Sequence, residues 1–180
     1  DPAADLVFRN GEFVAWFESA PASPQSADGS DATFEKATML YRDEQFGEAI
    51  PLFEQFVRAR PDHALAQARL GLSLTQVERY EESIAVLKRA NALNPTDYQS
   101  RNNLALVYER LGRAELGVAP AREAAALQPR DAVVQSTLGL VLMKAGHLAE
   151  AIEHLETAAR LQPELVTAHY NLTLAYTQSG

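Results

Sequence analysis

Apolar side chains return along this chain at three- and four-residue steps, the spacing that lays one stripe along a helix. The stripes break at regular places: Arg42-Asp43-Glu44, Gln76-Val77-Glu78, Leu111-Gly112-Arg113 and Ala145-Gly146-His147. After each break a second helical stretch runs on to a proline. A proline has no N–H to donate and restricts the residue before it, so helices stop there. The prolines are Pro61, Pro95, Pro129 and Pro163, each 34 residues from the last. The pattern predicts first helices near 32–43, 64–76, 98–110, 132–144 and 166–178, and second helices near 47–59, 80–92, 114–126 and 148–160.

The same 34-residue interval carries Leu70, Leu104, Leu138 and Leu172, and again Leu72, Leu106, Leu140 and Leu174. A fixed period of this size signals a solenoid, in which each unit buries its apolar face only against its neighbours. The blocks run 30–63, 64–97, 98–131 and 132–165, with a partial block over 166–180. Small residues hold two offsets: Ala37, Gly71, Ala105, Gly139 and Thr173 at one, Ala49, Ser83, Gly117 and Ala151 at the other. A large side chain there would push two crossing helices apart, so these offsets read as a packing code. The third block departs from it. Gly117 and Pro120 sit early in its second helix, which predicts a late start or a kink around Leu116–Pro120. Pro51 is a comparable but better tolerated interruption in the first block.

These residues resemble the tetratricopeptide repeat family. Its pattern is carried by Leu70-Gly71, Tyr80, Ser83, Ala90 and Pro95, and again by Leu138-Gly139, Leu148, Ala151, Ala158 and Pro163. The resemblance implies an all-α, right-handed superhelical solenoid of helix–turn–helix repeats, four full and a half. It further implies a non-catalytic module or scaffold whose first helices line a concave groove for a peptide or helix of a protein partner. Two other readings stay open: a regulatory or substrate-recruiting domain of a larger enzyme, and a self-assembling scaffold. Carried over by offset, the groove residues are Arg69, Leu72 and Gln76; Asn102, Asn103, Leu106 and Arg110; Thr137, Leu140 and Lys144; and Tyr170, Asn171 and Leu174. Asn103 and Asn171 stand out, because an amide side chain both donates and accepts and so can match a peptide's C=O and N–H. The Lys/Asn/Arg clamp of chaperone-binding members is absent, since Ala68, Leu72, Val133 and Thr137 stand at its offsets beside Asn103.

Residues 1–29 lie outside the repeat and form an extension ahead of the array at 30–180. Asn10-Gly11 between apolar, β-prone runs is a hairpin signal, pairing Phe8 with Phe13, Val7 with Val14 and Arg9 with Glu12. A helix from Glu12 to Ala20, with Phe13, Trp16 and Phe17 on one face, is the alternative. An Ala/Pro/Ser-rich stretch, 19–30, reads as a linker. An isolated hairpin is barely stable, so self-docking through residues 5–17 is expected, either capping the first block or occupying the groove.

Composition narrows the rest. A net charge of −8 with no Lys/Arg cluster argues against nucleic acid. No apolar run is long enough to enter and cross a bilayer. Cysteine is absent, which removes disulfide and thiol chemistry. His147, Glu150 and His154 share loosely metal-like spacing but read as surface residues, and no phosphate loop or nucleophile motif occurs. No cofactor is therefore expected. The Arg- and Ala-rich composition suits a bacterium, with cytoplasm and periplasm both open.

Overall fold

The computed structural model describes residues 6–9, 12–15 and 29–180. Strands β1 (Leu6–Arg9) and β2 (Glu12–Ala15) pair antiparallel, with Phe8 opposite Phe13, Val7 opposite Val14 and Arg9 opposite Glu12. This is the register the sequence predicts, and it displaces the helix that would start at Glu12. The docking of residues 5–17 and the linker at 19–28 fall outside the described residues.

Nine helices follow among the described residues. They are α1 (Ser30–Arg42), α2 (Phe46–Ala59), α3 (Ala64–Gln76), α4 (Tyr80–Leu93), α5 (Tyr98–Arg110), α6 (Ala114–Leu127), α7 (Ala132–Lys144), α8 (Leu148–Leu161) and α9 (Val166–Ser179). Each boundary lies within two residues of the periodic expectation. The N-termini of α3, α5 and α7 are closed by side chains one period apart: His63, Asp97 and Asp131 accept from backbone N–H groups of the first turn. The turn inside each block needs one left-handed residue, supplied by Glu44 (φ 59), Glu78 (φ 61), Gly112 (φ 68) and Gly146 (φ 90).

Each helix packs on its chain neighbours, and each odd-numbered helix also touches the next odd-numbered one. That second contact places α1, α3, α5, α7 and α9 on the inner side of a curved all-α solenoid. The core follows the array as successive apolar clusters and changes character along it. Phe53, Tyr41 and Leu74 fill it near α1–α3, while Leu138, Leu142 and Leu155 fill it near α7–α8.

Repeats are also tied by one recurrent hydrogen bond. Gln67 Nε2 donates to the Pro61 carbonyl and Gln135 Nε2 to the Pro129 carbonyl, both at 3.0 Å. One period on, the His169 ring bonds the Pro163 carbonyl at 2.7 Å.

The third block corrects the expectation of a late helix start. Helix α6 begins at Ala114, in phase with the other second helices, and continues through Pro120. There is no late start. Gly117 is where α5 and α6 approach: a Cβ there would lie 2.9 Å from the Ala105 carbonyl oxygen and 3.2 Å from Val141 Cγ1. The glycine is required by packing.

The two ends of the array differ from its middle. Met39 is 64% exposed, whereas its equivalents Ser73, Val107, Val141 and Ala175 are fully buried. On α9, Thr173 and Tyr176 are exposed where Gly139 and Leu142 are covered by α8.

Candidate functional site

The inner faces of α3, α5, α7 and α9 enclose a concavity of about 280 Å³. Of the groove residues expected from sequence, Gln76, Asn103, Leu106 and Arg110 line it, as do Thr137, Leu140, Tyr170 and Asn171. Its wall also takes in Thr75, Tyr80, Glu109, Val133, Ser136 and Thr167. Tyr80 belongs to a second helix, so the rule that first helices make the groove passes over it. Only the tight α3–α4 turn brings its ring to the edge.

The other expected residues lie elsewhere. Arg69 is buried, donates from Nη1 to Thr38 Oγ1 at 2.6 Å and stacks its guanidinium 5.3 Å from the Phe34 ring centre. Leu72 is buried in the α1–α3 core, and Leu174 packs against the α7–α8 core. Lys144 ends α7 as an exposed side chain that does not line the concavity. Asn102 is buried on α5 but is likewise off the wall.

The wall is poor in charge. Glu109 and Arg110 are adjacent on α5 and 3.9 Å apart, so they largely offset one another. Asn103 Nδ2 donates to its own helix at the Gln99 carbonyl, 2.8 Å away, which leaves its Oδ1 and its second N–H for a ligand. Asn171, Thr137 and Ser136 are 8%, 6% and 4% exposed and make no hydrogen bond among the described residues. Asn102 Oδ1 is fully enclosed and also lacks a partner. A buried donor or acceptor left unmatched costs about 1–3 kcal/mol, and among the described residues this applies to Asn102 Oδ1 and to Asn91 Oδ1 on α4.

Elsewhere, several polar side chains have structural partners. His154 Nδ1 lies 2.7 Å from Gln135 Oε1, and burial lowers its pKa below the ordinary histidine value. His147 Nε2 is 3.3 Å from Glu115 Oε2 on the preceding repeat. Among the described residues no three His, Asp or Glu side chains converge to hold a metal ion. No helix among them is long and apolar enough to cross a membrane.

Similarity to known proteins agrees with this geometry. Solved structures with the same fold include MamA 41-end from Desulfovibrio magneticus RS-1, with a TM-score of 0.78 and 19% identity over 85% of this chain and 86% of that one. A crystal structure of MamA protein has a TM-score of 0.77 and 21% identity over 86% and 85% of the two chains. MamA AMB-1 has a TM-score of 0.74 and 23% identity over 82% and 88%. At such identities the likeness concerns fold alone. The sequence has no significant match among curated proteins. The Tetratricopeptide repeat family profile matches residues 34–98 and 76–132, and a TPR repeat profile matches 139–180. With more than half of its length matched and each of the four full blocks folded as a helix–turn–helix, the chain belongs to the tetratricopeptide repeat family.

Proposed function

We propose that this protein is a non-catalytic interaction scaffold. Residues 30–180 act as its array, residues 1–29 are an extension, and the array takes a segment of a partner protein into the concavity between α5, α7 and α9. The observation that carries this reading is the polar group on that wall, Ser136, Thr137 and Asn171, set beside the apolar Leu106, Leu140 and Tyr170. Tyr170 is 64% exposed at the rim and is the expected aromatic anchor. Its truncation, Tyr170→Ala, is expected to weaken partner capture at least tenfold. A photo-crosslinker placed at Asn103 would report the same partner, and capture unaffected by Tyr170→Ala together with Asn171→Ala would remove the groove from the reading.

A second reading rests on a separate observation. Val166 and Tyr176 on α9 are 71% and 48% exposed, whereas Ala132 and Leu142, one period earlier, are buried. This supports self-association through α9. Light scattering over a hundredfold concentration range would show a rising mass for self-association and a constant monomer mass against it.

A further inference from the structure

We propose that the outer face of α6 is a two-fold interface that joins two copies of this chain back to back and leaves both concavities open. The surface is separate from α9. It also lies away from the groove, whose wall is made by first helices and Tyr80 while α6 stands in the layer behind them.

Five offsets face outward on the second helices. On α2 they include Glu48 and Arg58, on α4 Glu82 and Arg89, and on α8 Glu150, Glu153 and Arg160. On α6 they read Leu116, Ala119, Glu123, Ala126 and Leu127, all of them exposed. Leu116 is 57% and Leu127 38% exposed. Leu127 has counterparts in Leu93 and Leu161, but Leu116 stands where all three other helices carry glutamate. The two leucines are separated by about three helical turns and therefore share one face. An apolar strip in place of a charged one marks a surface that is covered.

The charges around this strip are drawn sideways, away from it. Arg113, the N-cap of α6, reaches Glu81 on α4 at 2.8 Å. Glu123 accepts from Arg101 on α5 at 2.9 Å, and Arg122 forks onto the Glu150 carboxylate of α8 at 2.8 and 3.0 Å. Glu115 meets the His147 ring at 3.3 Å. The three arginines are thus matched by three glutamates from α4, α6 and α8, and the strip between them is left uncharged.

Charge and symmetry select the occupant. The chain carries a net charge of −8, so two copies repel one another over most of their surface. At α6 the charges balance, and a second copy can approach there without that penalty. A strongly charged partner would find no complementary field on this strip, whereas the same strip on another copy matches it. The pattern also reads alike in both directions. Turned end for end about an axis near Ala121 and Arg122, Leu116 of one copy lies beside Leu127 of the other, and the reverse. Ala119 and Ala126 fall between them, where small side chains let two helices approach closely. Such reciprocal pairing is what a two-fold contact requires. One helix face is smaller than the roughly 800 Å² per partner of a standard interface, so the dimer is weak. It nevertheless presents two concavities, and a partner with two recognised segments would be held by both.

The test is analytical ultracentrifugation of the full chain from about 10 µM to about 1 mM, the range suited to so small an interface. The mass should rise towards that of a dimer and stop there. Leu116→Glu copies the residue of the other outer helices, so it should melt at an unchanged temperature and weaken association roughly tenfold or more. Ala119→Glu, which copies Glu153, should act alike, whereas Tyr176→Ser on α9 should leave the mass unchanged. The native chain has no cysteine, so single cysteines report the geometry. Leu116→Cys mixed with Leu127→Cys should form a disulfide faster than either variant alone. A monomer at every concentration rules the interface out, as does undiminished association in both glutamate variants. Association lost in Tyr176→Ser instead would assign it to α9 and end this inference, leaving the groove reading untouched. Cross-linking no faster in the mixture than in the single variants would rule out the two-fold arrangement.

Discussion

His63 shows how one side chain can serve several needs. Its Nδ1 accepts the Ala66 N–H at 3.1 Å and caps α3, while its ring packs 5.0 Å from Phe34 and 5.1 Å from Phe56. Burial is the main reason its pKa falls below 6.5, and the Arg60 and Arg69 guanidiniums add to it against the opposing Asp31. A neutral ring is therefore favoured by folding. Its contribution is complete above pH 6.5, where both states are neutral, and is lost as pH falls towards the folded value, because the unfolded chain takes up the proton first. His154 shifts in the same direction through burial. Urea unfolding should thus give lower stability at pH 5 than at pH 7.5. His63→Asn keeps a capping group but does not titrate, so it should shrink that difference. An unchanged difference would assign the effect to other groups. None of this was legible in the sequence, where His63 reads as an isolated histidine just past a proline.

At the scale of elements, Gly47 and Gly117 look alike in sequence, since each lies near the start of a second helix. Their surroundings separate them. A Cβ at Gly47 meets nothing within 4 Å, so Gly47→Ala should stabilise by about 0.5 kcal/mol through helix propensity and a less flexible unfolded chain. At Gly117 the nearest obstacle is a backbone oxygen at 2.9 Å, which cannot rotate away. Gly117→Ala should cost about 1–3 kcal/mol, overriding the same propensity gain. Thermal unfolding of the two variants checks the pair, and a stabilised Gly117→Ala would mean that α5 and α6 can separate at little cost. Pro120 carries a related lesson. Its effect on helix start was overestimated from sequence because the closely packed α5 and α7 hold α6 in register despite one missing N–H.

Across the whole molecule, contacts join each helix only to near neighbours, so stability should behave as a chain of locally coupled units. Among the described residues, helices α2 to α8 pack against helices before and after them in the chain, whereas α1 and α9 each pack against helices on one side. Hydrogen exchange should therefore be slower in α2–α8 and fastest in α1 and α9. A local lesion such as Gly117→Ala should speed exchange in α4–α7 more than in α1. Uniform exchange along the array would instead indicate a single cooperative unit.

By itself the sequence determined the helices, their order, the turn positions and the hairpin register. All of these follow from local chemistry repeated at a fixed period: apolar steps of three and four, prolines that cannot donate, and Asn-Gly between β-prone runs. It also determined which offsets face the groove, including Asn103, Leu106, Thr137, Leu140 and Asn171. Tertiary structure decided how far each of those residues is available. Arg69 and Leu72 share groove offsets yet are consumed by Thr38, Phe34 and the α1–α3 core. Thr137, Leu140 and Asn171 instead line the concavity. Whether a hydrogen-bonding group is matched depends on atoms a full repeat away, and a periodic sequence places those atoms without saying whether they meet.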